Sequence, residues 1–236
     1  MKFDIVTIFP DFFASPLAHG VVARARSRGL LDIQVHDLRN WTYDRHRTVD
    51  DRPFGGGEGM LLKPEPLFEA VEAILPERGP KTRVVLLSAQ GRRFTQSMAR
   101  EYAALERIVL ICGRYEGVDE RVAEHLADDE LSVGDFVLSG GELAAAMVVD
   151  VVGRILPGVL GNEDSSRNES FSGENGEELD CPQYTRPAEF RGWKVPDVLL
   201  GGNHEEIRRW RRAASRKKTE RLRPDLIAAS RVDRQS

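Results

Sequence analysis

Three stretches of the chain are almost unbroken apolar runs rich in β-branched residues: Phe3–Phe9 (FDIVTIF), Arg83–Ser88 (RVVLLS) and Ile108–Cys112 (IVLIC). A strand with one face in water alternates polar and apolar side chains, so an unbroken run reads as a strand buried on both faces. Leu31–Leu38 (LDIQVHDL) alternates and reads as a further strand. Helical spacing falls between the runs, at Pro16–Arg28, at Glu65–Leu75 with Leu67, Val71 and Ile74 on one face, at Thr95–Leu105 with Thr95 as cap, and at Asp119–Leu126. Glu130–Leu138 contains a short strand, and Glu142–Leu156 is a strongly apolar helix. Strands that alternate with helices and bury both faces specify an α/β fold with a mostly parallel sheet. Ligands of such sheets bind beyond the carboxyl ends of the strands.

The length of 236 residues fits one large domain, or a large one and a small one. With 41% hydrophobic and 31% charged residues, a collagen-like or wholly disordered chain is excluded. A chain this long buries a core without needing disulfides or metal. No apolar run approaches the roughly 18 residues of a membrane span. Asp4 and Pro10 interrupt the stretch that a signal peptide would keep apolar. The expectation is a cytoplasmic protein without a membrane partner. Cys112 closes an apolar run and reads as a core thiol, and with Cys181 it makes no zinc site.

Charge is distributed unevenly. Residues 204–236 carry 11 basic and 5 acidic side chains, whereas residues 1–203 carry 23 against 33. The basic core, Ile207–Arg223, includes Arg208, Arg209, Arg211 and Arg212 around Trp210. A dense basic tract with an aromatic among its arginines suits a polyanion such as RNA. A solvated helix face is the plainer alternative. From Gly161 to Asp180 the chain has seven acidic residues and almost nothing apolar. Residues 161–185 therefore read as a flexible linker between a domain at 1–160 and a helical, basic domain at 186–236.

Three glycine-bearing loops are candidate sites. Asp44–Met60 (DRHRTVDDRPFGGGEGM) puts three arginines and four acids beside four glycines. Arg45, Arg47 and Arg52 could pair with phosphates. No Gly-Lys-Ser/Thr ends the loop, so a nucleotide-phosphate hydrolase lacks its cradling lysine. Cys112–Val122 (CGRYEGVDERV) directly follows an expected strand. Ser132–Leu143 (SVGDFVLSGGEL) has Gly134, Gly140 and Gly141 within eight residues, and such exposed backbone suits a ligand with many hydrogen-bonding edges, such as an adenosine. Ordinary turns are the alternative reading of the last two.

Taken together, DRHRTVDDRPFGGGEGM, LICGRYEGVDERV, SVGDFVLSGGELAA, RILPGVLGNE, CPQYTRP and VLLGGNHEEIRRWR resemble the TrmD family of bacterial tRNA (guanine-N1)-methyltransferases, over nearly the whole chain. The resemblance implies a SPOUT-class fold, with a deep trefoil knot in the sheet and a small α-helical C-terminal domain. It implies a homodimer with active sites at the interface. It implies methyl transfer from S-adenosyl-L-methionine to N1 of guanine 37 of tRNA, with a preference for a guanine before that base. A magnesium ion is also implied, and no spacing here marks its ligands.

Carried over residue by residue, Gly113, Ser132, Val133, Gly134, Asp135, Phe136, Val137 and Leu138 would hold the adenosine and methionine parts, with Leu87, Ser88, Tyr115, Glu116, Gly140 and Gly141 completing the wall. Arg154 matches the family's active-site arginine. The family's general base is an aspartate in an Asp-Ser-Phe triplet, and here the triplet is Glu169-Ser170-Phe171. Asp164 is the competing carboxylate. Ala89 and Ala144 stand where the family pattern has prolines. Arg45, His46, Asp50 and Arg52 are candidate RNA contacts with the four helix arginines. A related methyltransferase acting on another RNA and a non-catalytic RNA-binding protein are the rival readings.

Overall fold

The computed structural model describes residues 1–161, 169–172 and 178–227. The chain divides into two compact units, Met1–Gly161 and Asn162–Ser236. In the first unit the elements run β1 (Lys2–Thr7), α1 (Gly20–Ser27), β2 (Asp32–Asp37), β3 (Asp50–Asp51), β4 (Leu61–Leu62), α2 (Pro64–Ile74), β5 (Thr82–Arg93), α3 (Gln96–Ala103), β6 (Arg107–Cys112), α4 (Glu120–His125), β7 (Asp129–Ser132) and α5 (Glu142–Arg154). Five strands form one sheet in the order β2-β1-β6-β5-β7, and every pairing in it is parallel. The short β3 and β4 pair antiparallel beside it.

The unbroken apolar runs are explained by cover on both faces. Phe3, Ile5, Val85, Leu87, Ile108 and Leu110 point to one core with α1, α3 and α5. Their neighbours Val6, Val84, Leu86, Val109 and Ile111 point to the other, under α2 and α4. Helix α5 supplies Ala144, Ala145, Val148, Val149 and Val152 at helical spacing to the first core. Both cysteines are buried and free.

Two elements depart from their sequence expectation. The helix expected over 16–28 begins at Gly20, whose φ of +67 keeps the preceding residues out of the helix. The strand expected over 83–88 runs on to Arg93. It does so by an excursion: both Leu87 and Arg92 pair with Leu131 of β7, so Ser88–Gly91 bulge out of the ladder. Gly91 passes so close to the Glu130–Leu131 backbone that a Cβ there would collide with it.

The second unit holds a hairpin of β8 (Glu189–Phe190) and β9 (Trp193–Lys194), and helix α6 (His204–Leu222). Asn203 caps α6 by accepting from the Glu205 and Glu206 amides. Residues 178–181 pack along this helix. The Leu179 amide donates to Thr219 Oγ1 at 2.9 Å, Ser215 Oγ donates to the Leu179 carbonyl, and Lys218 Nζ donates to the Asp180 carbonyl at 3.1 Å. Thr219 is fully buried there.

Asp4, in the middle of β1, is fully buried. It meets His36 Nε2 at 2.8 Å and Arg107 Nε at 2.7 Å, and Arg107 also donates to the Ile74 carbonyl at 2.8 Å. Burial alone would raise its pKa; hydrogen bonds from His36 and Arg107, with the charges of Arg107 and Lys2, hold it below the ordinary aspartate value. Replacing Asp4 by Asn leaves the Arg107 charge without its partner and is expected to cost about 3–5 kcal/mol in urea unfolding. A carboxylate with a depressed folded pKa stabilises fully above its unfolded value and loses that contribution as pH falls through the folded one. Stability of the native protein should therefore drop further than that of Asp4→Asn between pH 5 and 2, measured by chemical denaturation across that range.

Candidate active site

The bulge of β5 and the carboxyl ends of β6 and β7 converge on a cavity of about 190 Å³. Its lining comes from Leu86–Gln90, where β5 leaves the ladder, from Gly113–Val118, which follows β6, from Glu120 and Ala123 of α4, and from Glu130 of β7 onward through Leu138, Gly140, Gly141 and Ala144. The volume is below the roughly 300 Å³ at which small-molecule pockets begin.

The loops are held against one another by main chain. The Gly141 amide donates to the Gly113 carbonyl at 2.9 Å, and Arg114 bridges to Gly140. A Cβ on Gly141 would sit 2.7 Å from Cys112 Cα, so a glycine is required for this approach. The chain just after the glycine-rich loop is tied to the 113–118 turn: the Glu116 amide donates to the Met60 carbonyl at 3.1 Å and the Leu62 amide to the Gly117 carbonyl at 3.0 Å. Tyr115 takes a positive φ of 60 in this turn. Its phenol is pushed above the ordinary value by partial burial and by a hydrogen bond to Asp50.

The lining carries carboxylates at Glu116, Glu120 and Glu130. Its single cation, Arg114, stands 2.8 Å from Glu142 Oε2, so its charge is already matched. A lining of this sign favours a ligand with positive charge and disfavours a phosphate.

Of the expected cofactor residues, Leu87, Ser88, Gly113, Tyr115, Glu116, Ser132, Val133, Phe136, Val137, Leu138, Gly140 and Gly141 line the cleft. Gly134 and Asp135 do not. Gly134 lies against the Phe136 ring, with its amide donating to Ser132 Oγ at 3.2 Å, and Asp135 points outward, 3.6 Å from Arg93. The bulge residues Ala89 and Gln90, together with Arg114, Val118 and Ala144, also line the cleft. For Ala89 and Gln90 the break of the apolar run into Ser-Ala-Gln-Gly was the signal in the sequence.

Arg154 is the last residue of α5 and is half-buried. Glu169 belongs to the second unit, in a tight turn closed by the Ser172 amide donating to the Glu169 carbonyl at 3.2 Å. Phe171 in this turn has a φ of 65. The turn is fastened to the next stretch of chain: the Phe171 amide donates to the Glu178 carbonyl at 3.0 Å, and the Asp180 amide to Ser170 Oγ at 3.0 Å. Asp164 lies outside the described residues. Arg45, His46 and Arg52 are exposed, and Asp50 is half-buried. Asp44 organises their loop by accepting from the amides of His46 at 2.8 Å and Thr48 at 2.9 Å. Arg208, Arg209, Arg211 and Arg212 are exposed on α6. Among the described residues, no group of three or more His, Cys, Asp and Glu gathers to hold a metal, and no helix is long and apolar enough to cross a membrane.

The family model described as tRNA (Guanine-1)-methyltransferase TrmD matches residues 1–229. The chain belongs to the TrmD family. It is similar to proteins named tRNA (guanine-N(1)-)-methyltransferase in several bacteria. The Koribacter versatilis protein is 57% identical, with 100% of this chain and 95% of that protein covered. A Dehalococcoides mccartyi protein is 54% identical, with 99% and 94% covered. The Geobacter sulfurreducens protein is 53% identical, with 96% and 91% covered. TrmD proteins are SPOUT-class methyltransferases, in keeping with the parallel α/β sheet. Within a TrmD chain, Ala89 and Ala144 both line the cleft, so neither departure removes a wall.

Gly141→Ala should drive the two loops apart, because its Cβ meets backbone rather than a movable side chain. The expected outcome is a loss of about 1–3 kcal/mol in stability, as for other overpacked sites. Thermal or urea unfolding measures it.

Proposed function

We propose that the chain transfers methyl from S-adenosyl-L-methionine to N1 of guanine 37 of tRNA, as a cytoplasmic homodimer with its active sites at the subunit interface. The observation that carries the reading is the acidic, glycine-walled cleft between the β5 bulge and the carboxyl ends of β6 and β7 in a TrmD-family chain. The names of the relatives supply the reaction, and the resemblance supplies the position of the base.

The cleft fits the methyl donor. Its carboxylates suit a sulfonium and an ammonium group, and Leu87, Val133 and Leu138 offer apolar contact to an adenine ring. When bound, S-adenosylmethionine supplies an electrophilic methyl group. The task left to the protein is to make guanine N1 nucleophilic. N1 carries a proton at neutral pH, so a base must take it. Glu169 takes that proton, and Arg154 stabilises the negative charge that grows on O6. Glutamate keeps the carboxylate of the family's aspartate and reaches one methylene further. Guanine 37 leaves the stack of the single-stranded anticodon loop to enter the site. Arg208, Arg209, Arg211 and Arg212, with Arg45, His46, Asp50 and Arg52, contact the RNA. Magnesium belongs to the same reading without an assigned ligand.

In this reading residues 1–160 form the methyltransferase domain, 161–185 a linker and 186–236 an RNA-binding domain. The trefoil knot belongs to this reading through the family resemblance. A dimer is supported by Leu143 and Met147, one turn apart on α5 and exposed at 52% and 46% in the single chain.

Transfer of labelled methyl to unmodified tRNA transcripts tests the reaction. A transcript with guanine at 36 and 37 should be labelled, and one with adenine at 37 should not. Labelling of neither, with cofactor binding intact, would support the non-catalytic reading instead. Glu169→Gln should lower kcat by about 10²–10⁴ with unchanged cofactor affinity. Full turnover in that variant, with Asp164→Asn inactive, would move the base to Asp164. tRNA affinity should fall steeply with salt. Reversing the four α6 arginines to glutamate should shrink the slope by about 0.7–0.9 for each phosphate that is no longer neutralised. An unchanged slope would remove α6 from the interface.

A further inference from the structure

Glu142 is 1% exposed, at the start of α5 and directly after the Gly140–Gly141 loop. Arg114 lies on the other loop of the cleft. Its Nη2 stands 2.8 Å from Glu142 Oε2, and its Nη1 donates to the Ser139 carbonyl at 2.9 Å. The second carboxylate oxygen, Glu142 Oε1, accepts from Thr7 Oγ1 at 2.7 Å. Thr7, the last residue of β1, also accepts from the Phe9 amide at 2.9 Å. The Phe9 ring covers the guanidinium, with Arg114 Cζ 4.6 Å from its centroid. Gly140 makes room for this arrangement, since a Cβ on it would collide with the Arg114 side chain. One arginine and one glutamate thus tie the loop after β6, the loop before α5 and the end of β1 to a single point.

Stability alone does not account for such a pair. A volume-matched apolar pair at a buried site is often as stable or more so, because desolvation offsets the Coulombic gain. What an apolar pair lacks is direction. Two hydrogen bonds, from Arg114 Nη1 to Ser139 and from Thr7 to Glu142 Oε1, flank the Nη2–Oε2 ion pair and join three segments at fixed distances, so the spacing between the loops is specified and not merely filled.

We propose that Arg114 and Glu142, with Thr7, are positioning residues that set the two cleft loops at their binding separation before the ligand arrives. The inference rests on the reading that the cleft takes S-adenosylmethionine. Preorganisation of this kind appears as affinity, because the ordering cost is not drawn from binding. Arg114 lines the cleft and Glu142 adjoins it, whereas Thr7 does not line it.

The test is calorimetric titration with S-adenosylhomocysteine and steady-state kinetics with S-adenosylmethionine, on the full chain and on two variants. Arg114→Met/Glu142→Leu replaces the ion pair by an apolar pair of similar volume. It should melt within a few degrees of the native protein, yet bind S-adenosylhomocysteine about tenfold more weakly. Its KM for S-adenosylmethionine should rise in step, while kcat at saturating cofactor stays within about threefold. Thr7→Val keeps the shape and removes the third partner together with the acceptor of the Phe9 amide; a rise in Kd of about threefold is expected. A folded double variant with native Kd and KM overturns the proposal. If the double variant does not fold, Thr7→Val decides, and a native Kd there overturns it. Failure of the native chain to bind S-adenosylhomocysteine is a separate result, which removes the cofactor reading and this inference with it.

Discussion

A sheet covered on both faces leaves almost no place for a charge. Every strand of the five-stranded sheet sends side chains into one or both of two apolar cores, and the charged side chains buried within the first unit are Asp4 and Glu142. Each survives burial because it is matched: His36 and Arg107 hydrogen-bond Asp4, while Glu142 accepts from Thr7 and is paired in charge with Arg114. Chemistry is therefore displaced to the ends of the strands, where the backbone leaves the ladder and polar groups can face a ligand. The Asp4 cluster, within the sheet, supports the fold. The carboxyl end carries the cleft.

At that end the spacing between segments is smaller than any side chain allows. Gly91 lies on Leu131, Gly141 on Cys112 and Gly140 on Arg114. These are contacts in which the absent Cβ matters more than backbone freedom. They explain why the cleft wall is built largely from main chain, and why Ala89 and Ala144 are tolerated in it. A wall of peptide groups is indifferent to side-chain changes that leave its path intact.

Much of this architecture can be read from residue order, because two-sided burial writes itself as unbroken β-branched runs. FDIVTIF, RVVLLS and IVLIC mark three of the five sheet strands, and the glycine clusters mark the loops after β6 and β7. Other features leave no periodic trace. The Ser88–Gly91 excursion depends on β7 occupying the same partner twice, a tertiary register that no local pattern encodes. The outward turn of Asp135 depends on its neighbour Phe136 folding back over Gly134. The Arg114–Glu142 pair joins residues 28 positions apart, each of which reads alone as an ordinary surface charge. The acidic stretch before Cys181 reads as free linker by composition. Nevertheless, residues 178–181 are drawn onto α6 by the hydroxyls of Ser215 and Thr219, two polar residues within a helix otherwise defined by its arginines.

That last attachment has a consequence for how an RNA would be measured. The turn bearing Glu169 is fastened to residues 178–180, and these are fastened to α6, so the carboxylate and the arginine-studded helix are parts of one piece. In the proposed reading the helix holds the phosphate backbone and Glu169 removes the proton. The offset between them is then a built-in ruler. An RNA whose backbone seats correctly brings its guanine to the carboxylate in the same motion, and one with a different spacing is gripped but left out of reach.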